Sequence, residues 1–302
     1  MRKTYVFVFG FLIVNLLLSQ AYLHIMKSSQ LLHSDEIMKS LSSDIDYLVM
    51  GTSHSLAVQT TIFPNSSNVA SYGEGIHNTY YKLNYIINEL SVKPSKVILS
   101  CDLGMLKHSD IDHQNYQFYW NRYENHAELL HFAEHPTEFI INRITDYLFP
   151  YKNGEIEVFD YFFAKKTTVK NAALRNQNEI KKLSVEEKKV LDSACQNQQI
   201  SELGQYYFEQ IIELCRLHDI ELILIRFPVT PHYYYQHSTC FDPELYYDTL
   251  TKTFIRSDDQ IKLYDFHNIY DESAFADPDH LKGGKIRDNL TRLILDELEK
   301  KN

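Results

Sequence analysis

Short apolar runs alternate along this chain with stretches of helical hydrophobic spacing, and this alternation restricts the fold more than any other feature. The apolar runs occupy residues 46–50, 68–72, 96–101, 220–225 and 261–265. Helical spacing fills residues 81–90, 201–218, 243–255 and 284–300. Strands and helices that alternate in this way form a parallel sheet covered by helices on both faces. We therefore predict an α/β fold, a three-layer α/β/α sandwich with a parallel sheet of about five strands.

The N-terminus carries the pattern of an export signal. Arg2 and Lys3 precede an apolar run over residues 4–18, and Ser-Gln-Ala at 19–21 resembles a small-x-small cleavage site. A helix over the whole segment 1–25 would be long enough to span about 30 Å of hydrocarbon. The sequence thus predicts an N-terminal apolar helix that is either an uncleaved signal anchor in a membrane or a cleaved signal peptide. In both cases the bulk of the chain is expected outside the cytoplasm, in the periplasm or at the cell surface.

The rest of the chain is predicted to form one domain rather than two. Residues 26–43 are polar with scattered Leu and Met, which indicates a juxtamembrane stalk. The main domain then covers residues 44–302, because no internal repeat and no Gly- or Pro-rich linker divides it. Strand and helix patterns are lost between about residues 105 and 200, so we expect an insertion or cap there.

Composition excludes some partners and favours others. The 302 residues carry a net charge of −10, which argues against a nucleic-acid partner because phosphate contacts need a basic surface. There are 22 Tyr and 17 Phe, and exposed tyrosines suit carbohydrate or interface contacts. Ordinary packing of these rings in the core and in grooves is the alternative interpretation.

Metal and cofactor sites are not expected. Four cysteines (Cys101, Cys195, Cys215 and Cys240) include no CxxC pair, so a structural zinc site is disfavoured, whereas disulfides and buried free thiols both stay open. The histidines between residues 108 and 135 lack the spacing of metal ligands (His108, His113, His126, His131 and His135). No Gly-rich phosphate loop follows the first strand, which argues against a flavodoxin-like cofactor binder.

Three polar residues that follow predicted strands or precede the last helix could carry acyl-transfer chemistry. Ser53 comes directly after the first strand, where a helix is expected to begin and to add its dipole. Asp277 and His280 precede the last helix. A serine hydroxyl is a weak nucleophile and needs a base that is itself oriented by a third group. We therefore predict Ser53 as nucleophile, His280 as base and Asp277 as the group that orients it.

On these residues the chain resembles the SGNH or GDSL hydrolases. Gly-Thr-Ser ending at Ser53 is similar to the family's first block, and Asp277-Pro-Asp-His280 is similar to its last. Asn68 through Gly73 resembles the second block. The resemblance implies a flavodoxin-like fold and an oxyanion hole formed by the backbone N–H groups of Ser53 and Gly73. It covers most of residues 45–104 and 218–300, and the middle of the chain is unmatched.

Two positions depart from the family pattern. Thr52 replaces the usual Asp, as in the membrane-anchored cell-envelope branch that is similar to polysaccharide O-acetylation and teichoic-acid D-alanylation proteins. The third block lacks its Asn, because the third strand ends in Cys101-Asp102-Leu-Gly. Loss of one oxyanion donor costs about 10²- to 10³-fold in rate. Asn78, just past the second block, is the predicted substitute.

These features predict an extracytoplasmic serine esterase or O-acyltransferase that acts on acyl groups, chiefly acetyl, of an envelope or exopolysaccharide. Its expected partners are an acylated carbohydrate or acyl donor, the membrane and other envelope-synthesis proteins. His54 and Arg226 are candidate substrate contacts, although Arg226 could instead pair with a carboxylate. The alternative function, favoured by the missing Asn, is a weak or inactive relative that binds glycan or a protein of an envelope-synthesis complex.

Overall fold

The computed structural model of the protein describes residues 2–26, 36–102, 104–106, 111, 120, 122–149, 200–238, 242–255 and 260–300. The chain divides into two compact units. The first joins Met1–Glu36 with Asp110–Thr167, and the second joins Ile37–Ser109 with Thr168–Asn302. The predicted stalk (26–43) and insertion (105–200) lie in part outside the described residues, so both stay predictions.

Five parallel strands form the sheet, which lies in the second unit. The strands are β1 (Tyr47–Met50), β2 (Ser66–Asn68), β3 (Lys96–Ser100), β4 (Glu221–Arg226) and β5 (Ile261–Asp265). Their order across the sheet is β2-β1-β3-β4-β5, and each neighbouring pair is parallel. The predicted α/β fold with a five-stranded parallel sheet is thus confirmed. The strand order reverses between β1 and β3, which is the switch point where open α/β sheets bind ligands.

Helices fill the segments between strands. In the described residues the α-helices are α1 (Arg2–Met26), α2 (Ile76–Asn84), α3 (His126–Leu129), α4 (Pro136–Leu148), α5 (Glu202–Leu217), α6 (Pro231–Ser238), α7 (Pro243–Leu250) and α8 (Lys285–Glu299). Helices α2 and α7 continue directly into π-helical turns, at Tyr85–Glu89 and Thr251–Ile255. The helices predicted from hydrophobic spacing are therefore present, with shifted ends.

The inner strands β1, β3 and β4 are buried on both faces of the sheet. In β4 the residues from Leu222 to Ile225 are all fully buried, although neighbouring side chains point to opposite faces. One face forms a core with α8, through side chains such as Ile294 and Leu298. Burial on both faces explains why the sequence shows continuous apolar runs rather than an alternating pattern.

Strand β2 ends four residues earlier than its apolar pattern predicted. The Asn68 side chain bends the chain at this point, because its Oδ1 accepts the backbone N–H of Ala70 at 3.1 Å. Its Nδ2 donates to the carbonyl oxygens of Ser55 at 2.8 Å and Val58 at 3.1 Å. Asn68 therefore links the end of β2 to the turn that carries Ser53.

After β3 the chain leaves the sheet near Leu106 and returns at Ser201, and these two residues are hydrogen-bonded. The Leu106 carbonyl accepts the Ser201 N–H at 2.8 Å and its hydroxyl at 3.0 Å. Ser201 also caps α5, because its Oγ accepts the Gly204 N–H at 2.9 Å. A Cβ on Gly204 would lie 2.1 Å from the Leu106 oxygen, so this close approach requires glycine.

The first unit contains α1, α3 and α4. Asn15 in α1 donates its amide to the Leu148 carbonyl at the end of α4, at 2.8 Å. The buried Arg143 pairs with Glu124 at 3.4 Å and donates to the Ile111 carbonyl at 3.2 Å. The predicted N-terminal apolar helix is not found as such: α1 occupies Arg2–Met26, but no helix in the described part of the chain is both long enough and apolar enough to cross a membrane.

Two of the four cysteines can be assigned. Cys101 and Cys215 are free, buried thiols, which decides between the two alternatives for this pair. Cys195 and Cys240 lie outside the described residues, as do His108 and His113 of the histidine series. For those four positions the sequence predictions stand untested.

Candidate active site

A tight turn after β1 places Ser53 at the carboxyl edge of the sheet. Gly51 has a φ of +99°, and a Cβ there would lie 2.6 Å from the Ser100 hydroxyl oxygen. Only glycine tolerates this backbone conformation without strain. The next residue, Thr52, donates its backbone N–H to Ser100 Oγ at 3.1 Å. Ser53 is thus held beside the end of β3, at the switch point of the sheet.

The helix predicted to begin at Ser53 is present, but it is short and of the 3₁₀ type. Instead of an α-helix, residues Ser53–Ala57 form a short 3₁₀ turn, which ends at Val58. A turn of this length aligns too few peptide groups to give a useful macrodipole. Ser53 therefore offers its backbone N–H to the site without the field of a helix behind it.

Ser53 and His280 are in direct hydrogen-bond contact. The distance from Ser53 Oγ to His280 Nε2 is 2.7 Å, across 227 residues of sequence. The other ring nitrogen, Nδ1, lies 2.9 Å from Asp277 Oδ1. A proton on Nδ1 satisfies this carboxylate and leaves Nε2 to accept the serine hydroxyl proton. The structure thus brings together the three residues predicted as nucleophile, base and orienting acid.

An irregular turn before α8 holds Asp277 and His280 in place. Asp277 Oδ1 accepts the backbone N–H groups of Asp279 at 3.2 Å and His280 at 2.8 Å. The turn is closed by the Ala276 N–H, which donates to the His280 carbonyl at 2.8 Å. Such a side-chain-to-backbone turn fixes the carboxylate before it meets the imidazole. The side chains of Asp277 and His280 stay 35% and 28% exposed, so the site is open to substrate.

A second carboxylate reaches the same imidazole nitrogen. Asp279 Oδ1 lies 2.9 Å from His280 Nδ1, the same distance as Asp277. The other oxygen of Asp279 lies 3.4 Å from His54 Nε2. Sequence reasoning did not assign Asp279 a role, although the Asp-Pro-Asp-His motif contains it. The sequence does contain an indication of it, because Asp279 is a second acidic residue directly before the predicted base, His280.

His54 links Asp279 to a third carboxylate, that of Asp102. His54 Nδ1 lies 2.8 Å from Asp102 Oδ1, and the Thr52 hydroxyl donates to Asp102 Oδ2 at 2.6 Å. The His54 side chain is only 8% exposed. Both of its ring nitrogens therefore face carboxylates. His54 also lines the cleft beside Ser53, and its contact with substrate stays a prediction.

These contacts shift the pKa values of both imidazoles upward. Burial alone would lower the pKa of His54, but the charges and hydrogen bonds of Asp102 and Asp279 raise it to about 10. For His280 burial also lowers the pKa, and Asp277 and Asp279 raise it to about 9. Burial would raise the pKa of Asp279, but the two imidazoles hold it well below its ordinary value. At neutral pH the network favours a cationic His54.

Two backbone N–H groups beside Ser53 are available as oxyanion donors. Within the described residues, neither the Ser53 N–H nor the Gly73 N–H donates to another group. Both residues line the same cleft, and Gly73 adopts a φ of +63°. Asn78 lies differently: it is fully buried in α2, and its Oδ1 accepts the Gly75 N–H at 2.9 Å. Asn78 thus caps the helix behind the cleft and does not line it.

A buried ion pair supports the wall that carries Gly73. Lys82 Nζ lies 2.6 Å from Glu74 Oε2, and both side chains are fully buried. Lys82 also donates to the Val69 carbonyl at 2.8 Å and to Ser71 Oγ at 3.1 Å. The second oxygen of Glu74 accepts the Thr79 hydroxyl at 2.8 Å. Every charged atom of the pair has partners, and together they tie the loop after β2 to α2.

The cleft above Ser53 has a volume of about 340 Å³. Its lining includes Ser53, Gly73, Ile76, Leu99, Met105 and Tyr233. This mixture of apolar surface with a few convergent polar groups is typical of small-molecule sites. The cleft therefore has room for an acyl group next to the nucleophile.

Arg226 lies apart from this cleft, at the end of β4. Its guanidinium pairs with Asp265 at 2.9 Å and with Glu244 at 3.5 Å, and it stacks on Tyr247 at 4.0 Å from the ring centre. Of the two interpretations that the sequence left open, the carboxylate pair is the one that the contacts support. Arg226 and Tyr247 instead line a small hollow on the other side of His54.

One cluster in the described residues has the proximity of metal ligands. Donor atoms of His54, Asp279 and His280 all lie within 4.8 Å of one another. However, His280 Nε2 is directed at Ser53 and His54 Nδ1 at Asp102. The available nitrogens are thus already used by hydrogen bonds, and we interpret the cluster as an acid–base network.

Comparison with known proteins does not assign a family to this geometry. No protein-family model matches the chain, and no curated protein matches it either.

Proposed function

We propose that the protein is a serine esterase or O-acyltransferase of the SGNH type. The observation that carries this proposal is the 2.7 Å contact between Ser53 Oγ and His280 Nε2, with Asp277 behind the imidazole. Nucleophile, base and orienting acid are the parts that acyl transfer needs, and they are recognised by geometry rather than by position in the sequence. The strand order of this chain, β2-β1-β3-β4-β5, is compatible with the three-layer α/β/α sandwich of the SGNH family.

The chemistry would proceed through an acyl-enzyme. Ser53 Oγ attacks the acyl carbonyl carbon while His280 Nε2 takes the hydroxyl proton, and the carbonyl π electrons move to oxygen. The N–H groups of Ser53 and Gly73 would stabilise that oxyanion. His280 then gives its proton to the departing alcohol as the ester bond breaks. Water or a sugar hydroxyl afterwards attacks the acyl-serine, with His280 again acting as base, and the choice of acceptor separates hydrolase from transferase.

The oxyanion hole would differ from the family pattern at one position. The family places an Asn side-chain donor after the third strand, and this chain has no counterpart of it in the segment Cys101-Asp102-Leu-Gly. A carboxylate accepts hydrogen bonds, and Asp102 accepts them from Thr52 and His54. Two backbone donors would then carry the hole alone, which would lower the rate but leave the mechanism intact.

The substrate and location rest on the sequence. The apolar run after Arg2 and Lys3 supports export and membrane anchoring. An acetylated envelope or exopolysaccharide, its acyl donor and envelope-synthesis proteins are the proposed partners. Tyr233 lines the cleft, where its ring could stack on a sugar.

A fluorophosphonate probe tests the proposed nucleophile. In the wild-type protein, Ser53 Oγ is expected to attack the probe's phosphorus and displace fluoride, because His280 can take the hydroxyl proton. The product is a phosphonyl ester on Ser53. Intact-mass measurement would detect one adduct, and peptide mapping would locate it. Ser53→Ala should remain unlabelled, whereas Ser55→Ala should still be labelled. Folded wild-type protein that does not react, or an adduct that survives Ser53→Ala, would contradict the proposal. Either result would favour the alternative function, an inactive protein that binds glycan or a protein partner.

The pH dependence of ester hydrolysis provides a separate prediction. His280 must be neutral to accept a proton, and its pKa is raised to about 9. Below that pH the neutral fraction falls tenfold per unit, so kcat/KM for p-nitrophenyl acetate should rise about tenfold per pH unit and level off near pH 9. Blank-corrected initial rates across the neutral and alkaline range measure this limb. A plateau that already begins near pH 6 would show that His280 is not the titrating base.

A further inference from the structure

Two carboxylates face a single nitrogen of the proposed base. Asp277 and Asp279 each place an oxygen 2.9 Å from His280 Nδ1. One carboxylate orients an imidazole and stabilises the imidazolium that forms during reaction. A second full negative charge would hold the ring in its protonated form, in which it cannot accept the Ser53 proton. The geometry therefore needs a positive group that offsets the second carboxylate.

His54 is in the position to supply that charge. Its ring lies 5.2 Å from the His280 ring, centre to centre, with the planes at 73°. Its Nε2 lies 3.4 Å from Asp279 Oδ2. Its Nδ1 lies 2.8 Å from Oδ1 of Asp102, which follows β3. An imidazole between two carboxylates in a buried site is expected to keep both protons. The raised pKa of His54, about 10, agrees with that expectation.

Other charged groups lie near His54 on two sides. The hollow that it shares with Ser53 and His280 is also lined by Arg287 of α8. The hollow on the far side is lined by Arg226 and His267. Arg226 is paired with Asp265 and Glu244, and His267 Nδ1 is paired with Asp265 at 2.7 Å. Of these groups, His54 is the cation in contact with Asp279.

We propose that His54 is a positioning residue of the Ser53 site, and that as an imidazolium between Asp102 and Asp279 it offsets the second carboxylate and lowers the pH at which His280 becomes a base. This inference rests on the proposed function, because it concerns the same base. It makes Asp102, which follows β3, the anchor of that cation. Thr52 supports the anchor through its hydrogen bond to Asp102.

The proposal predicts opposite shifts for two neutral substitutions. His54→Gln removes the cation but can still donate to a carboxylate, so His280 should titrate about one pH unit higher. Asp279→Asn removes one carboxylate from His280, so His280 should titrate about one unit lower. Asp296→Asn makes the same charge change at an exposed position of α8 and should leave the titration unchanged.

Two readouts test these shifts. The first is the acid limb of kcat/KM for p-nitrophenyl acetate in wild type and the three variants. The second is NMR titration of protein labelled with ¹³C and ¹⁵N in histidine, in which His280→Gln identifies the His280 signals. The expected result is an upward shift in His54→Gln and a downward shift in Asp279→Asn by both readouts, with thermal melts showing that each variant is folded.

An unchanged or lowered His280 titration in folded His54→Gln would overturn the proposal. If His54→Gln does not fold, an unchanged titration of His280 in Asp279→Asn would overturn the proposal as well. It would show that the Asp279 carboxylate does not affect the protonation of His280. The NMR titration does not need activity. An inactive wild type that still shows the two opposite shifts would therefore reject the proposed function and retain the role of His54.

Discussion

The His280→Gln variant is expected to lose about 10⁴-fold in kcat/KM toward an acetyl ester, because glutamine cannot take the Ser53 proton. The 2.7 Å contact between Ser53 Oγ and His280 Nε2 is the only activation that the serine has in the described part of the chain. Steady-state rates with p-nitrophenyl acetate measure the loss. A time course with the fluorophosphonate probe should show slower labelling of Ser53 in His280→Gln than in the wild type.

Two further variants make this result specific. His131→Gln changes an exposed histidine of the first unit and should leave the rate unchanged. Asp277→Asn should cost less than His280→Gln, about 10²-fold, because Asp279 still accepts the Nδ1 proton at 2.9 Å. If His280→Gln retained a tenth or more of the wild-type rate, Ser53 would not depend on this base and the acyl-transfer mechanism would fail.

The Lys82→Met variant is expected to lower the free energy of unfolding by about 3–5 kcal/mol. Methionine has a similar length but leaves the Glu74 carboxylate fully buried without its cation. It also removes the donors to the Val69 carbonyl and to Ser71. Urea unfolding followed by circular dichroism measures the change.

The double variant Lys82→Met/Glu74→Gln should recover part of this loss, because a neutral amide is cheaper to bury than a lone carboxylate. Lys252→Met is the matched control: its ion pair with Asp248 is at the surface, with the Lys252 side chain 55% exposed, and should contribute less than about 1 kcal/mol. A loss in Lys82→Met as small as that of the control would show that the buried pair is not needed to hold the cleft wall.

The sequence was most informative where local pattern and chemistry coincide. Strands β1, β3, β4 and β5 were predicted to within a residue or two. Burial on both faces makes the inner strands β1, β3 and β4 nearly continuous apolar runs, whereas the edge strand β5 also contains Lys262 and the exposed Asp265. Ser53 could be proposed with Asp277 and His280 because Ser53 follows a strand and the other two precede the last helix, and both positions fall at the carboxyl edge of an open parallel sheet. The short β2, made of Ser66, Ser67 and Asn68, has no apolar run and was placed too late.

The rest of the site depended on contacts that no local pattern encodes. Asp102 and His54 lie 48 residues apart in sequence, and only the packing of β1 beside β3 shows that they meet. Lys82 stands in a helix between Tyr81 and Leu83, where its long side chain could equally have reached solvent. Its burial depends on the buried carboxylate of Glu74, and no local pattern indicates that Glu74 lies inside the protein. Pairing across elements was therefore the information missing from the sequence.

Because Leu106 and Ser201 are hydrogen-bonded, the chain between them leaves the sheet and re-enters it at one point. Both of its ends are fixed at one point, where Gly204 leaves no room for a side chain. The entropic cost of joining two fixed ends grows only slowly with the length of chain between them, so a change in that length would impose little on β3 and β4. The segment between Leu106 and Ser201 could therefore change in length while Ser53, His280 and the acids kept their places.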